Sequence, residues 1–382
     1  MLDRFTEVSN QSWGNRIGGS IAGVLFGILL FIAAFPVLWW NEGRAVDRYL
    51  AISEGTASAI SIDPAAVDPA HDGRIVHFSG EARSDEAVTD PEFEISKDAL
   101  SLNRIVEMYQ WVEDKDTKTR DKIGGGKETT TTYDYSKQWR QGRVNSSRFK
   151  HEAGHENPSM PMGSSRHSAD NIHVGAFSLG DLSSEIEGGD PLTLDSLPEA
   201  LRAKGWELRD GGAYLSVGSG LTIGDTRVRF EMIPYSQVSV IAQQRGDQLV
   251  PFVASNGEEF AELRMGVLNI DQMREAAESD NALKTWIIRG VGFAMMVIGM
   301  SLIMGPLTAL AHVIPMLGSL VGGVTFVISL VVSVVGTSMT IAVAWLAYRP
   351  LISVPLLVIA VVAVVYLVMR SRSRKAAQAA TA

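Results

Sequence analysis

The chain has 382 residues, of which 46% are hydrophobic, and it carries a formal net charge of −9 at pH 7 and no cysteine. The lack of cysteine excludes disulfide bonds, thiol catalysis and thiolate metal sites. The negative charge lies in the polar middle of the chain. Because an acidic domain repels phosphate backbones, we expect no nucleic acid as a partner.

The first apolar run covers residues 17–40 and contains no charged side chain. A run of this length can cross a hydrocarbon core of ~30 Å. A cleaved signal peptide would have a shorter apolar region that ends at small residues, whereas this run ends in Pro36-Val-Leu-Trp-Trp40. We therefore predict an uncleaved transmembrane helix after a short N-terminal segment, residues 1–16.

Three glycines repeat at every fourth position of this helix, namely Gly19, Gly23 and Gly27. Small residues at this spacing lie on one face and let two helix backbones approach closely. The pattern predicts helix packing, either within one chain or between copies of it.

The middle region, residues 41–285, alternates between apolar and polar residues in short segments separated by turn signals. We predict strands over residues 73–82, 104–114, 129–139, 226–233, 238–244 and 248–253. Helices are predicted at 197–204 and 271–284, and the second could continue into the membrane. The Gly-, Ser- and Pro-rich residues 151–173 are predicted to form a loop.

The uncharged stretch from Gly290 to Tyr348 is too long for one membrane helix and fits two, predicted at residues 286–312 and 316–346, with a turn at His312 and Pro315. A fourth span is predicted at 351–369, before a basic tail, residues 370–382. The spans offer no intramembrane carboxylate, which argues against a proton-coupled transporter. Hydroxyl groups in the third span could line a polar path, although such groups usually bond to their own helix. These are Ser333, Thr337, Ser338 and Thr340.

The basic tail is assigned to the cytoplasm by the positive-inside rule, and an even number of spans places the N-terminus there too. The middle domain then lies outside the cytoplasm. Five aromatic residues fall at the predicted outer boundary, and Trp13 would mark the inner one. The five are Trp39, Trp40, Trp286, Trp345 and Tyr348. The predicted fold is a polytopic membrane protein with four transmembrane helices and a large β-rich α+β domain inserted between helices 1 and 2.

Two short motifs invite a functional interpretation. His151-Glu-Ala-Gly-His155 matches H-E-x-x-H, in which two histidines on one helical turn bind zinc. Gly154 and Pro158 disfavour the helix that this zinc site requires, so the site is a minor alternative. Arg245-Gly-Asp247 lies between two predicted strands, where a turn favours Gly and Asp.

Specific strings along nearly the whole chain resemble the transmembrane protein 43 family, also called LUMA. Their residues are taken as signatures of the family and as structural candidates, not as catalytic groups. The strings are Asn41-Glu42-Gly43-Arg44-Ala45, Val106-Glu107-Met108-Tyr109-Gln110-Trp111, Gly154-His155-Glu156-Asn157-Pro158, Ala242 to Phe252 with Arg245, Gly246 and Asp247, Lys284-Thr285-Trp286, and Tyr348-Arg349-Pro350-Leu351.

The resemblance implies four spans, termini on the cytoplasmic or nucleoplasmic side, and a large lumenal domain. In animals it implies the endoplasmic reticulum and inner nuclear membrane, organisation of membrane-protein complexes, self-association, and binding of lamins and emerin. The valine-rich spans, short tail and absence of cysteine indicate a bacterial member. In that case the domain is periplasmic, the membrane is the bacterial inner membrane, and lamina partners do not apply.

The leading hypothesis is a non-enzymatic membrane scaffold that self-assembles and needs no cofactor. Its expected partners are membrane lipid, copies of itself and other membrane proteins. The alternatives are an oligomeric ion-conducting or lipid-handling protein and, third, a membrane-anchored metalloenzyme that uses His151 and His155. At the membrane surface, Glu42 and Arg349 are candidates for an ion pair, with a solvated Arg349 as the alternative.

Overall fold

The computed structural model describes residues 3–351, 353–355 and 358. The helices are α1 Trp13–Ser58, α2 Glu199–Arg202, α3 Ile270–Ile303, α4 Gly305–Ala311 and α5 Pro315–Tyr348, with 3-10 turns at Pro69–His71, Ser146–Arg148 and Gly180–Glu185. The strands are β1 Asp3–Gln11, β2 Ile60–Ser61, β3 Ile75–Arg83, β4 Val88–Asp90, β5 Ile95–Lys97, β6 Ala99–Asp121, β7 Lys127–Gln141, β8 Ser165–Ser168, β9 His173–Val174, β10 Phe177–Ser178, β11 Asp190–Leu192, β12 Trp206–Arg209, β13 Gly212–Leu215, β14 Thr226–Pro234, β15 Ser236–Arg245, β16 Gln248–Val250, β17 Phe252–Val253, β18 Glu259–Phe260 and β19 Glu262–Met265.

The described chain divides into two compact units. The first is β-rich and comprises residues 1–10, 51–120 and 128–277. The second is mainly helical and comprises residues 11–50, 121–127 and 278–382. A large β-rich domain is therefore confirmed, and in chain order it follows the first long helix.

The first unit contains an eight-stranded sheet in the order β1-β7-β6-β14-β13-β12, with β11 also paired to β14 and β8 to β6. Strand β14 pairs antiparallel with β6, and Thr226 lies opposite Met108. The predicted hairpin of residues 104–139 is longer than expected and turns at Gly124 and Gly125, whose φ values are +89° and +80°. Glycine adopts this left-handed region without steric cost, which is why it occupies the turn.

The second sheet has seven strands, with β15 at its centre between β3 and β19. Residues Val238, Val240 and Ala242 of β15 are buried with Phe78 and Phe177, whose rings stack 5.0 Å apart. A separate core holds the other sheet, where Phe93 packs edge-on against Phe230 at 5.0 Å. Each sheet thus buries one apolar face, as the period-two pattern requires.

Residues 3–11 form a strand that the sequence does not predict. This strand, β1, pairs with β7 in the eight-stranded sheet, and Phe5 contacts the rings of Tyr133 and His151. Residues 1–16 are predicted to lie on the cytoplasmic side, opposite the middle domain. Within the fold, β1 covers the edge of β7 that would otherwise be exposed and so joins residues 3–11 to that domain. The side of the membrane on which they lie stays a prediction.

Helix α1 extends far past residue 40, where the first span was predicted to end. Its last turns belong to the β-rich unit, where Ile52 is buried with Ile241, Phe260 and Met273. Gly55 allows this packing, since a Cβ there would lie 2.3 Å from the Phe260 ring. The predicted domain boundary at residue 41 therefore falls inside a continuous helix.

Helices α1, α3 and α5 are long and apolar enough to cross a membrane. The predicted helix 271–284 and the predicted span 286–312 form one helix, α3, which breaks at Met304 before α4. A turn at residues 312–314 then leads into α5 at Pro315. Most of the predicted fourth span, residues 351–369, and the basic tail lie outside the described residues, so three candidate spans are observed.

Candidate functional site

Glu42 lies in the helical unit, at the point where α1, α3 and α5 meet, and its side chain is fully buried. Its Oε1 accepts a hydrogen bond from Arg289 Nε at 2.7 Å, and its Oε2 accepts one from Arg289 Nη2 at 2.8 Å. The indole Nε1 of Trp345 donates a third, to Oε2, at 2.8 Å. The carboxylate is held by a two-pronged guanidinium and an indole from two other helices.

A buried carboxylate is costly unless its charge is paired and its lone pairs are hydrogen-bonded. Arg289 meets both needs, since its planar guanidinium matches the two carboxylate oxygens. Its own charge lies 4.8 Å from the centroid of the Trp286 ring, a cation–π contact. The pair therefore joins α1 to α3 by side chains that have little freedom to separate.

A second polar network lies beside Glu42 on α1, at Asn41 and Arg44. Arg44 donates from Nη1 to Asn281 Oδ1 at 3.1 Å and from Nη2 to Thr285 Oγ1 at 2.9 Å. Asn41, which is fully buried, donates from Nδ2 to the Thr285 carbonyl at 3.1 Å. Asn281 Nδ2 donates in the other direction, to the Ala45 carbonyl at 2.9 Å. These reciprocal bonds fix the rotation of α1 against α3.

The C-terminal end of α5 closes the same cluster. A Cβ on Gly43 would lie 2.8 Å from Tyr348 Cζ, so the tyrosine ring fits only because this position is glycine. The Trp39 ring lies 5.6 Å from the Tyr348 ring. We name the set Asn41, Glu42, Gly43, Arg44, Asn281, Thr285, Arg289, Trp345 and Tyr348 the Glu42 cluster.

The candidate pair between Glu42 and Arg349 does not form. Both oxygens of Glu42 are already bonded to Arg289, and the Arg349 guanidinium lies over the Trp345 ring at 5.8 Å from its centroid. Pro350 follows and is exposed. Arg289 was not predicted as the partner of Glu42. The sequence does hold a signal for the pair: Arg289 is the last charged residue before the uncharged stretch, and Glu42 is the first after residues 17–40.

The three glycines of the first span have different environments. Gly27 lies against α3, where a Cβ would be 2.7 Å from the Gly299 carbonyl oxygen. At Gly23 the nearest atom to such a Cβ is Leu302 Cδ2 at 3.7 Å, an ordinary contact, and at Gly19 no described atom lies within 4 Å. Close helix packing is therefore located at the Gly27–Gly299 crossing.

In the β-rich unit, the Asn157 side chain forms hydrogen bonds with backbone groups, as a neighbouring strand would. Its Oδ1 accepts from the Trp111 backbone N–H at 2.7 Å, and its Nδ2 donates to the Trp111 carbonyl at 2.9 Å and to the Val144 carbonyl at 3.2 Å. The side chain is buried. A single amide therefore satisfies the backbone polar groups of two segments.

His155 packs between two aromatic rings, stacked on Tyr135 at 4.0 Å and edge-on to Trp111 at 4.7 Å. Its Nδ1 lies 3.0 Å from the His151 carbonyl and its Nε2 lies 3.4 Å from Asp3 Oδ2. The Tyr135 hydroxyl donates to Glu113 Oε2 at 2.7 Å. Burial, and then this hydrogen bond, raises the pKa of Tyr135 to about 12.

The helix that a zinc site on His151 and His155 needs is not formed. Gly154 has φ of +85°, which breaks any helical turn between the two histidines. The His151 ring packs edge-on against Phe5 at 4.2 Å. Among residues 3–351 we find no group of three or more histidine and carboxylate side chains placed to hold a metal ion.

The other signature residues hold strands together. Glu107 Oε2 accepts from Arg227 Nε at 2.8 Å and from Arg229 Nη2 at 2.9 Å, and Tyr109 packs on the Trp139 ring. Pro158 Cγ lies 3.1 Å from where a Cβ of Gly224 would be.

Gly246 and Asp247 form the turn between β15 and β16, as their composition predicts. Arg245 is paired with Gln248 across it. Gly246 has φ of +61° and donates its N–H to Asp72 Oδ1 at 2.8 Å. The tripeptide therefore has a structural explanation.

Comparison with known proteins gives a consistent result. The family model "Transmembrane protein 43" matches residues 108–350. The chain is 31% identical to human transmembrane protein 43, over 95% of this chain and 93% of the human one. It is also 31% identical to the mouse protein, over 88% of this chain and 87% of that one. For the Drosophila melanogaster homolog the identity is 31%, over 87% of this chain and 90% of that one. No solved structure matches the chain.

Proposed function

This chain belongs to the transmembrane protein 43 family, and from that premise we propose that it is a non-enzymatic integral membrane scaffold that self-assembles and presents its β-rich domain to other membrane proteins. The Glu42 cluster carries the proposal. Its bonds from Arg289 and Trp345 to Glu42, and from Arg44 to Asn281 and Thr285, run between helices of the same chain, and the Glu42 carboxylate accepts three of them. A carboxylate committed in this way holds helices in place and is poorly suited to proton transfer.

Self-assembly is supported by the large apolar surface of the membrane helices. On α5 the side chains of Leu320, Val331, Val335 and Met339 are exposed in the single chain. Lipid or a second copy must cover this face in a membrane. We propose that a second copy covers part of it.

We further propose that the β-rich domain lies outside the cytoplasm, because the basic tail favours the cytoplasmic side. The valine-rich spans support the bacterial inner membrane with a periplasmic domain. The human and Drosophila relatives support the alternative, the endoplasmic reticulum or inner nuclear membrane.

The scaffold is tested with the full chain purified in mild detergent and reconstituted in liposomes. We expect light scattering after size exclusion to give a defined oligomer, and the liposomes to show no ion flux above that of empty ones. A monomer at all protein concentrations would contradict self-assembly.

The second candidate is an ion-conducting oligomer, and one observation favours it. Ser333 Oγ in α5 is fully buried and makes no hydrogen bond to a described residue. Two nearby hydroxyls do have partners: Thr340 donates to the Gly336 carbonyl of its own helix at 2.7 Å, and Thr337 donates to Met296 Sδ of α3 at 3.4 Å. Flux that is abolished by Thr337→Leu and Ser338→Leu would favour this candidate over the scaffold.

A further inference from the structure

A cavity of about 430 Å³ lies in the helical unit, at the N-terminal end of α1, and none of its lining residues belongs to the Glu42 cluster. Its walls come from α1, α3, α4 and α5 and from the start of β7. This volume lies within the range of small-molecule sites, ~300–1,000 Å³. The cavity is open at one side, and Gly19 lines it at a position where a Cβ would meet no described atom within 4 Å.

Two basic side chains line the cavity. Arg16 is anchored, since its Nη1 donates to Asp121 Oδ1 at 2.7 Å and to the Gly125 carbonyl at 3.1 Å. Asp121 is engaged on its other side by His312, 3.1 Å away. Lys127 is half-buried and makes no ion pair with another described residue. Asp121 offsets the charge of Arg16, so Lys127 leaves the cavity with an excess positive charge.

Hydroxyl groups complete the lining. Ser301 Oγ is buried and has no hydrogen-bond partner among the described residues, although a buried hydroxyl normally has one. Thr308 and Thr325 face each other with their Oγ1 atoms 3.2 Å apart. A half-buried ammonium without a counterion and a buried hydroxyl without a partner both point to an anionic oxygen ligand.

The cavity also lies where a membrane places such a ligand. Gly19 and Ser20 are near the start of the first apolar run, and Trp13, whose Nε1 donates to the Ala309 carbonyl at 3.0 Å, is an aromatic residue typical of the lipid–water interface. We propose that this cavity binds a phosphate group, with Lys127 and Ser301 as its main donors. The group is that of an anionic phospholipid headgroup or of free phosphate.

The inference goes beyond the proposed scaffold and does not rest on it. The test is native mass spectrometry of the detergent-solubilised full chain titrated with phosphatidylglycerol, with zwitterionic phosphatidylcholine, and with inorganic phosphate alone. We expect phosphatidylglycerol adducts at a higher occupancy than phosphatidylcholine adducts, because the choline cation opposes the positive cavity. Competition by inorganic phosphate would identify free phosphate as a ligand of the same site.

The decisive comparison is between two adjacent glycines of α1. Gly19→Leu places a side chain in the lining and takes up part of the cavity, and we expect it to weaken phosphatidylglycerol binding by about tenfold or more. Gly18→Leu is the matched control, because Gly18 also has no described atom within 4 Å of its Cβ position but does not line the cavity. Lys127→Gln is expected to weaken binding and to remove the preference over phosphatidylcholine.

The proposal is overturned if the two leucine variants bind alike, whether both retain phosphatidylglycerol or both lose it. It is also overturned if Lys127→Gln keeps the full preference for the anionic lipid. Oligomer mass is read from the same spectra. A failure of the scaffold proposal is therefore seen separately from a failure of the phosphate site.

Discussion

Glu42 and Arg289 are 247 residues apart in the chain, yet their side chains form two parallel hydrogen bonds of 2.7 and 2.8 Å. Glu42 is the first charged residue after one apolar run, and Arg289 is the last before the next. Each charge thus finds its partner at the edge of an uncharged run. The pair fixes α1 and α3 to each other where both leave the apolar region.

Removal of one partner from this pair is expected to destabilise the chain strongly. Arg289→Gln leaves the buried Glu42 carboxylate without its counterion, which costs about 3–5 kcal/mol. The measurement is denaturant or thermal unfolding in detergent. Arg349→Gln is the control and should cost less than about 1 kcal/mol, because Arg349 is not bonded to Glu42. Equal losses in the two variants would contradict the observed pairing.

Gly27 is predicted to be intolerant of any larger residue. Gly27→Leu places a side chain where the Gly299 carbonyl lies, so α1 and α3 must separate, at a cost of about 1–3 kcal/mol or more. Gly23→Ala, whose Cβ meets only an ordinary contact, is expected to be close to neutral or slightly stabilising. The two variants are compared by their melting temperatures in the same detergent. A Gly27→Leu variant as stable as Gly23→Ala would contradict the close contact between α1 and α3 at Gly27.

Asn157 is predicted to stabilise the β-rich unit through its amide. Asn157→Leu leaves the Trp111 N–H without its acceptor, and a buried unsatisfied group costs about 1–3 kcal/mol. The exposed neighbour Glu156, changed to Gln, is the control. Loss of protease resistance in residues 99–164 should accompany only the Asn157 change, and resistance that is the same in both variants would speak against the role of the amide.

Because of Tyr135, the free energy of unfolding is predicted to fall at alkaline pH. Its pKa is about 12 in the folded chain and about 10 for an unperturbed tyrosine, so the fold favours the neutral phenol. The contribution of this group is complete below pH ~10 and is lost as the pH rises through 12. Ultraviolet titration should show a late-ionising phenol that Tyr135→Phe removes. Glu113→Gln should lower its pKa in part, since burial is the larger cause.

The pairing of β1 with β7 and a membrane crossing by α1 make opposite predictions for residues 3–11: the pairing puts them on the side of the β-rich domain, and the crossing puts them on the other side. The chain contains no cysteine, so single cysteines report their own accessibility. Thr6→Cys and Ser219→Cys, both at exposed positions, should react with an impermeant maleimide from the same side of sealed vesicles. Labelling from opposite sides would contradict the strand pairing and favour the cytoplasmic N-terminus expected from the charge pattern.

The sequence predicted well what depends on neighbouring residues. The strands at 226–233 and 238–244 were found because alternation of apolar and polar residues is a local signal. The turn at residues 312–314 follows from the proline at position 315, and the turn at Gly246 and Asp247 from turn chemistry. Strand β1 was missed because its apolar positions are few and only Phe5 and Glu7 are partly covered.

By itself, the sequence determined that this chain is a membrane protein with a β-rich domain, because hydropathy and period are properties of consecutive residues. The family resemblance came from the same source. Only the tertiary structure decided that Glu42 pairs with Arg289 instead of Arg349, that Gly27 meets α3 while Gly19 lines a cavity, and that α1 continues into the domain. These facts depend on distances between residues far apart in the chain, and no local pattern encodes which of several compatible partners a buried charge or a bare helix face will meet.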